Sequence, residues 1–164
     1  MARVFLCIGS NLADRAATLR MAIDRLGEVP FSRVAQTSSV YETDPWGNTQ
    51  QGSFLNQAVE METSLEPVPL LEACQSIERG LGRERTEKWG ARTVDIDILL
   101  YDSRIVERLE LRIPHPRLRD RRFVLVPLAE IAPAVPVPRT GRTVKDLLAA
   151  CEDAGGVRLY EPIG

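Results

Sequence analysis

Two aspartates one residue apart are the feature of the sequence that most strongly suggests chemistry. Asp95 and Asp97 lie within the largely apolar run Thr93–Tyr101, which predicts a β-strand. Because successive side chains of a strand point to opposite faces, both carboxylates project from one face, with Cα atoms about 6.6 Å apart. Leu99 and Tyr101 are expected on that face too, so the carboxylates are predicted to be partly buried, where cations must offset their repulsion and desolvation. Mg²⁺ is suited to this, since it binds one or two carboxylates together with phosphate oxygens.

Basic residues flank this segment on both sides. They are Arg83, Arg85, Lys88 and Arg92 upstream, and Arg112, Arg117, Arg119, Arg121 and Arg122 around the single histidine, His115. A carboxylate pair with several guanidinium groups is typical of a polyphosphate site, in which metal ions bridge the oxygens and arginines neutralise the remaining charge. The alternatives are an aspartate pair on a solvated face or paired with arginines, and arginine runs that only solvate the surface. No glycine-rich phosphate-binding motif is present, so nucleotide chemistry here would depend on arginines and metal.

Two further segments indicate recognition of a planar ring. Residues 43–48, Thr-Asp-Pro-Trp-Gly-Asn, place Trp46 in a loop, and residues 54–58 place Asn56 between strand hydrophobes. An amide can match the donor and acceptor edges of a heterocycle while aromatic rings stack on its faces. Core packing is the alternative for each aromatic residue taken singly.

The hydrophobic pattern predicts a single α+β domain over residues 1–164. Strands are predicted at Val4–Ile8, Phe31–Tyr41, Phe54–Thr63 and Thr93–Tyr101, with one helix from Asn11 or Asp14 to Gly27 and another from Pro67 to Gly80 or Gly82. This order, β-α-β-β-α-β, is that of ferredoxin-like folds. Beyond this core we expect short strands at 104–106, 109–113 and 157–160, and C-terminal helices at 124–131 and 143–151.

Composition excludes several classes of protein. The 164 residues are 44% hydrophobic and 27% charged, which is typical of a globular domain. A formal net charge of −2 and the lack of an RNA-binding aromatic run argue against a nucleic-acid-binding module. Three widely separated cysteines, with no signal peptide or membrane span, predict a cytoplasmic protein with reduced thiols. A metal-dependent nucleotidyltransferase acting through the aspartate pair remains an alternative.

The motifs together resemble the 6-hydroxymethyl-7,8-dihydropterin pyrophosphokinase family. In chain order they are Gly9-Ser10-Asn11, Tyr41-x-Thr43-x-Pro45, Phe54-Leu55-Asn56-x-Ala58, Ile77-Glu78 with Gly82-Arg83, Trp89-Gly90-x-Arg92-Thr93-Val94-Asp95-Ile96-Asp97-Ile98-Leu99, Pro114-His115-Pro116, Arg121-x-Phe123 and Ile131-Ala132-Pro133. No pterin-condensing domain is recognised in the sequence, so the resemblance is to the monofunctional form.

The resemblance implies transfer of the β,γ-pyrophosphoryl group of ATP to the pterin's hydroxymethyl oxygen, with release of AMP. It places two Mg²⁺ ions on Asp95 and Asp97. We also expect a monomer that binds neither nucleic acid nor membrane. The implied nucleotide-site residues are Gln75, Glu78, Arg85, Lys88, Ile98, His115 and Arg121, with Trp89 closing over the site and Arg83 and Arg92 approaching the transferred phosphates. The implied pterin-site residues are Thr43, Asp44, Trp46, Phe54, Asn56 and Phe123.

Overall fold

The fold, taken from a computed structural model, is a mixed α/β arrangement described for residues 1–11, 14–43, 53–82 and 94–161. Its strands are β1 Ala2–Ser10, β2 Ser32–Thr37, β3 Tyr41–Thr43, β4 Phe54–Thr63, β5 Val94–Tyr101, β6 Val106–Glu107, β7 Arg112–Ile113, β8 Pro136–Val137, β9 Arg142–Thr143 and β10 Val157–Leu159. Its α-helices are α1 Arg15–Gly27, α2 Pro67–Gly80, α3 Arg122–Ile131 and α4 Val144–Ala150, with a short 3₁₀ turn at Leu118–Asp120.

The central sheet contains six antiparallel strands. Its order is β10-β3-β4-β1-β5, and β2 pairs with the far end of the same β4 edge that β3 uses. The β6–β7 and β8–β9 pairs form separate two-stranded hairpins. In the described part of the chain β5 is therefore an edge strand of the main sheet.

Helices cover both faces of this sheet. Helices α1 and α2 pack on one face over a cluster that includes Leu6, Ile8 and Ile96. Helices α3 and α4 pack on the other face over Phe5 and Leu99. The aspartate-bearing strand thus lies between two apolar layers, and its polar side chains must emerge where the helices do not cover the sheet.

Local sequence signals explain where the first two helices begin. Asp14 caps α1, since its Oδ1 accepts a hydrogen bond from the Ala17 N–H at 3.1 Å, as expected for a first-turn cap. Pro67 occupies the first turn of α2, where a missing N–H costs nothing. Both starts, and the ends at Gly27 and Gly80, confirm the helices predicted from the sequence.

The predicted strand Phe31–Tyr41 is wrong in one respect, because two strands occupy this region. Between them, the Ser38 hydroxyl accepts a hydrogen bond from the Ala58 N–H at 2.9 Å, and the Ser38 carbonyl accepts one from Gln57 Nε2 at 2.8 Å. The Ser38 N–H still donates to the Ala58 carbonyl at 2.9 Å, but the side-chain contacts occupy the Ser38 carbonyl and the Ala58 N–H in place of ladder bonds and interrupt the strand.

The predicted alternation along β5 also fails at its end. The register with β1 shifts so that Ile98 lies opposite Leu6 while Leu100 lies opposite Phe5, which leaves one extra residue on β5, a β-bulge. Tyr101 consequently joins the cluster beneath α1 and α2, and its hydroxyl donates to the Leu65 carbonyl at 2.5 Å. Our expectation that Tyr101 shares the aspartate face is therefore wrong.

None of the helices in the described ranges combines the length and the apolar character that crossing a membrane requires.

Candidate active site

The two aspartates lie on the N-terminal half of β5, before the bulge. Both are partly exposed, whereas their neighbours Val94, Ile96 and Ile98 are buried. The predicted arrangement of two carboxylates on one strand face is thus present. It lies at the end of the sheet that also contains Gly9 and Asn56.

Glycine and asparagine residues extend this face across the two neighbouring strands. In the sheet register Asp95 lies opposite Gly9 of β1, and Gly9 lies opposite Asn56 of β4. The next row inward contains Asp97, Cys7 and Ala58. Asn56 and Asp95 are therefore two strand spacings apart, about 9.6 Å, with no side chain between them.

The pKa of the Cys7 thiol is shifted by the charged groups around it. Burial raises its pKa, and the carboxylates of Asp97 and Asp95 raise it further, while the Arg121 guanidinium lowers it. The thiol is thus protonated at neutral pH. The two carboxylates and Arg121 therefore all lie within electrostatic range of this one buried atom.

Arg121 is a cation whose hydrogen-bonding capacity is not filled. Its Nε is buried and has no hydrogen-bond partner among the residues described, and its guanidinium carbon lies 5.6 Å from the centroid of the Phe123 ring. No ion pair of Arg121 occurs in the described ranges. A buried donor without an acceptor is costly, so an anionic ligand is the natural partner for this group.

His115 is held as a neutral hydrogen-bond donor. Its backbone N–H donates to the Leu99 carbonyl at 3.0 Å, and its Nδ1 accepts from the Arg117 N–H at 3.1 Å. Burial, followed by the charges of Arg121 and Arg117, lowers the pKa of His115 to about 4. With Nδ1 occupied as an acceptor, the proton of the neutral ring is on Nε2.

This environment predicts a pH dependence that the chain's only histidine can report. Because the pKa of His115 is lowered from 6.5 to about 4, the unfolded chain binds a proton between these values and the folded chain does not. The free energy of unfolding should therefore fall as the pH drops from about 6.5 to 4, and below pH 4 this group should cause no further loss.

The imidazole NMR signal should titrate with a midpoint near pH 4, and a His115→Gln variant should show a smaller acid loss of stability. A midpoint near 6.5, or identical pH profiles of melting temperature for variant and parent, would contradict the assignment.

A cavity opens beside the aspartates at the free edge of β5. It has a volume of about 350 Å³, and Asp97 and His115 line it together with Ile98. Leu71 of α2 and Leu111 of the β6–β7 hairpin add apolar walls. The arrangement suits a flat apolar group against the leucines and isoleucine, with its charged part directed at the histidine and the carboxylates.

The sequence predicts Asp97, Ile98 and His115 as site residues and counts Arg112 among the basic residues around His115, and all four line this cavity. It does not predict Leu71 and Leu111, which also line it. Leu71 is part of the helical periodicity of α2, and Leu111 belongs to a hairpin far from the strand motif, so nothing local in the sequence distinguishes them from core residues.

The two residues predicted on α2 have different surroundings. Glu78 is buried, and its Oε2 accepts a hydrogen bond from the Ile96 N–H at 2.7 Å. Its carboxylate thus satisfies a backbone N–H on the outer edge of β5. Gln75 is exposed on the same helix. Glu78 thus contacts a strand residue that itself lines the cavity, and direct contact of either side chain with a nucleotide stays a prediction.

On the side of the aspartates away from the cavity, β4 carries a buried side-chain amide, that of Asn56. Asn56 Nδ2 donates to Thr43 Oγ1 at 2.7 Å, and both side chains are almost fully buried. Phe54 lies two residues earlier on the same strand, and Phe123 is partly buried in the first turn of α3. The structure therefore brings Thr43, Phe54 and Asn56 together.

Seven predicted site residues lie outside the described residues. They are Asp44, Trp46, Arg83, Arg85, Lys88, Trp89 and Arg92.

Acidic, basic and amide groups at one end of an antiparallel sheet that carries helices on both faces indicate an enzyme of phosphoryl transfer. The family model described as 7,8-dihydro-6-hydroxymethylpterin-pyrophosphokinase (HPPK) matches residues 5–133. The chain belongs to this family.

Relatives named 2-amino-4-hydroxy-6-hydroxymethyldihydropteridine pyrophosphokinase match almost the whole chain. The one from Methylorubrum extorquens is 47% identical over 155 residues, covering 94% of this chain and 97% of the relative. The one from Bacillus subtilis is 45% identical over 157 residues, covering 96% and 89%.

Solved structures give the same fold. The crystal structure of Plasmodium falciparum HPPK-DHPS with pteroate matches with a TM-score of 0.70 at 14% identity, covering 91% of this chain. This chain spans 42% of that longer protein. At this identity the likeness shows the fold alone.

Proposed function

We propose that this chain is a pyrophosphokinase of folate biosynthesis, which transfers the pyrophosphoryl group of ATP to 6-hydroxymethyl-7,8-dihydropterin and releases AMP. Membership of the family and 45–47% identity to the two relatives over nearly their full length support this activity. The observation in the molecule that supports it most is the order of features across the sheet. The apolar cavity, the aspartate pair and the buried amide follow one another from the edge strand inward.

From this order we infer that each substrate binds on one side of the aspartates. The nucleotide base occupies the cavity at the edge of β5, where Ile98 and Leu71 provide apolar contacts. The pterin lies over β1 and β4, where the Asn56 amide reads its edge and Phe54 and Phe123 contact its faces. The hydroxymethyl group then points back toward Asp95, so that the acceptor oxygen and the phosphates meet above the carboxylates.

The donor set at this point fits Mg²⁺. Asp95 and Asp97 offer hard oxygen ligands on one strand face, and Mg²⁺ commonly takes one or two carboxylates and completes its shell with phosphate oxygens and water. We assign two ions to the pair. When bound with ATP, the metal neutralises charge on the phosphate oxygens.

The remaining groups position the phosphates. Attack by a neutral alcohol on a phosphoryl centre depends mainly on alignment and charge neutralisation. Arg121 supplies a positive charge and a buried N–H donor that has no partner among the described residues. His115 donates from Nε2 to a phosphate oxygen. Roles for Arg83, Arg85, Lys88, Trp89 and Arg92 on the nucleotide, and for Asp44 and Trp46 on the pterin, rest on the family resemblance.

The wider assignments belong to the same proposal. The antiparallel order β5-β1-β4 with β2 and β3 beyond supports a ferredoxin-like core within one domain. The three cysteines are free thiols, which supports a cytoplasmic location. We further infer that the enzyme acts as a monomer.

The direct test is to incubate the protein with ATP, Mg²⁺ and hydroxymethyl-dihydropterin and to follow AMP. AMP should form only when all three are present. Formation of ADP in its place would contradict the proposed reaction.

Replacement of Phe123 with alanine should weaken pterin binding while leaving ATP binding nearly unchanged. The aromatic contact is worth roughly 0.5–1.5 kcal/mol in addition to roughly 1.5–3 kcal/mol for burial of the ring, so a rise of at least tenfold in the pterin KM is expected. Phe31, which is 73% exposed, provides a matched control, and Phe31→Ala should change neither KM. Equal losses for both substrates would instead assign Phe123 to the core of α3.

A further inference from the structure

Gly9 occupies the centre of the row between Asn56 and Asp95, and the space above it is already taken. A Cβ built on Gly9 would lie 2.7 Å from Asn56 Oδ1, 3.7 Å from Asn56 Cγ and 3.7 Å from Phe54 Cδ2. The first of these distances is shorter than real Cβ contacts allow. Among the glycines of the described chain, positive φ angles occur at Gly82 and Gly141. Gly9 is therefore required for space and not for its backbone conformation.

Asn56 has little freedom to move away from an added methyl group. Its side chain belongs to a residue only 3% exposed, and its Nδ2 donates to Thr43 Oγ1 at 2.7 Å. The accepting hydroxyl is also fixed, because Thr43 is 2% exposed. A rotation of the carboxamide away from β1 would break this hydrogen bond and leave a buried amide unsatisfied.

We propose that Gly9 is a positioning residue of the pterin site. Its missing side chain allows the Asn56 carboxamide to lie directly against β1, while Thr43 holds the other end of the amide. The orientation of the group that reads the pterin is thus set from two sides, by a hydroxyl on β3 and by an empty position on β1. This inference rests on the proposed function, in that Asn56 is taken to bind the pterin.

The same geometry limits the effect to one substrate. The three atoms nearest to the added Cβ belong to Asn56 and Phe54, and none belongs to a residue lining the cavity at the β5 edge. A Gly9→Ala variant should therefore weaken pterin binding roughly tenfold, the size expected for a lost or misaligned hydrogen bond in a buried site. The ATP KM should stay within about twofold of the parent.

The experiment measures pterin binding directly, by its intrinsic fluorescence, together with both KM values and the melting temperature. Gly27→Ala is the matched control, since no atom lies within 4 Å of a Cβ built there. The control should bind pterin like the parent. Unchanged pterin binding in Gly9→Ala would overturn the proposal, and so would an equal rise in both KM values.

A double-variant cycle separates the proposed contact from a general defect. In an Asn56→Ala background the space opposite Gly9 is open, so adding Gly9→Ala should cause no further loss of pterin affinity. Losses that add in the double variant would overturn the proposal. If Gly9→Ala alone does not fold, recovery of folding in the double variant supports the clash, and failure of both overturns it.

The cycle also distinguishes this inference from the proposed function. If Asn56→Ala binds pterin like the parent, the assignment of Asn56 to the pterin site fails, and the positioning role of Gly9 fails with it. If Asn56→Ala loses affinity but Gly9→Ala does not, the assignment of Asn56 survives and only the role of Gly9 is wrong.

Discussion

Changing either Asp95 or Asp97 to asparagine should lower Mg²⁺-dependent pyrophosphoryl transfer by two orders of magnitude or more. Asparagine keeps the size of the side chain and much of its hydrogen bonding but removes the charge that binds the ion, so the substitution isolates the metal role from packing. The measurement is the rate of AMP formation against Mg²⁺ concentration for both variants and the parent. The required Mg²⁺ concentration should rise as the maximal rate falls.

Melting curves without ligand provide the control for this pair. The melting temperature should be unchanged or raised, because one carboxylate of a like-charged pair is removed. Asp24→Asn, at an exposed position on α1, is the matched substitution and should leave activity unaltered. Near-normal activity in both site variants would refute the metal assignment, and loss of the fold would make the aspartates structural.

Replacing Arg121 with methionine should reduce kcat/KM for ATP by about a hundredfold. The expectation follows from the loss of a charged donor that we propose faces the phosphates in a partly dehydrated site. The Arg121 Nε has no hydrogen-bond partner within the described ranges, and a methionine side chain can keep the contact with the Phe123 ring, so the melting temperature should change much less than the activity. The pKa of His115 should rise, since the Arg121 charge helps to lower it, and the imidazole NMR titration measures this directly.

Arg119→Met is the control for that experiment, because Arg119 is exposed in the adjacent 3₁₀ turn. It should leave both the activity and the His115 titration near those of the parent. An Arg121 variant with normal kinetics and an unchanged His115 midpoint would remove Arg121 from the site.

The parts of the fold that depend on local signals could be predicted from the sequence. The bounds of β4 follow from a continuous run of strand-forming residues, and Phe54–Thr63 is found as expected. Asp14 and Gly27 delimit α1 because capping and helix termination depend on a few neighbouring residues.

Features set by distant partners could not be predicted in this way. The bulge near Leu99 depends on the register between β5 and β1, and the break at Ser38 depends on hydrogen bonds to β4. The cavity beside β5 exists because a hairpin at 106–113 and helix α2 meet there. The bulge, the strand break and the cavity all depend on contacts between residues far apart in the sequence, which no local pattern specifies.

The same distinction between local signals and distant contacts applies to the candidate site. Spacing alone predicts that Asp95 and Asp97 share a strand face. The pairing of Asn56 with Thr43, and the need for glycine opposite Asn56, appear only when three strands are aligned. For Glu78 the family resemblance implies a nucleotide contact, which stays a prediction. The structure adds a feature that the sequence does not reveal, namely that its carboxylate accepts a hydrogen bond from a backbone amide of β5.

The central claim is that a diphosphate unit moves as a whole from ATP to the pterin, and ATP labelled at its β-phosphorus tests it most directly. With the protein, Mg²⁺ and hydroxymethyl-dihydropterin present, the label should appear in the pterin product while unlabelled AMP is released. Label retained in ADP would mean transfer of the γ-phosphoryl group alone. Label released as free pyrophosphate would mean nucleotidyl transfer, and either result would contradict the proposed reaction.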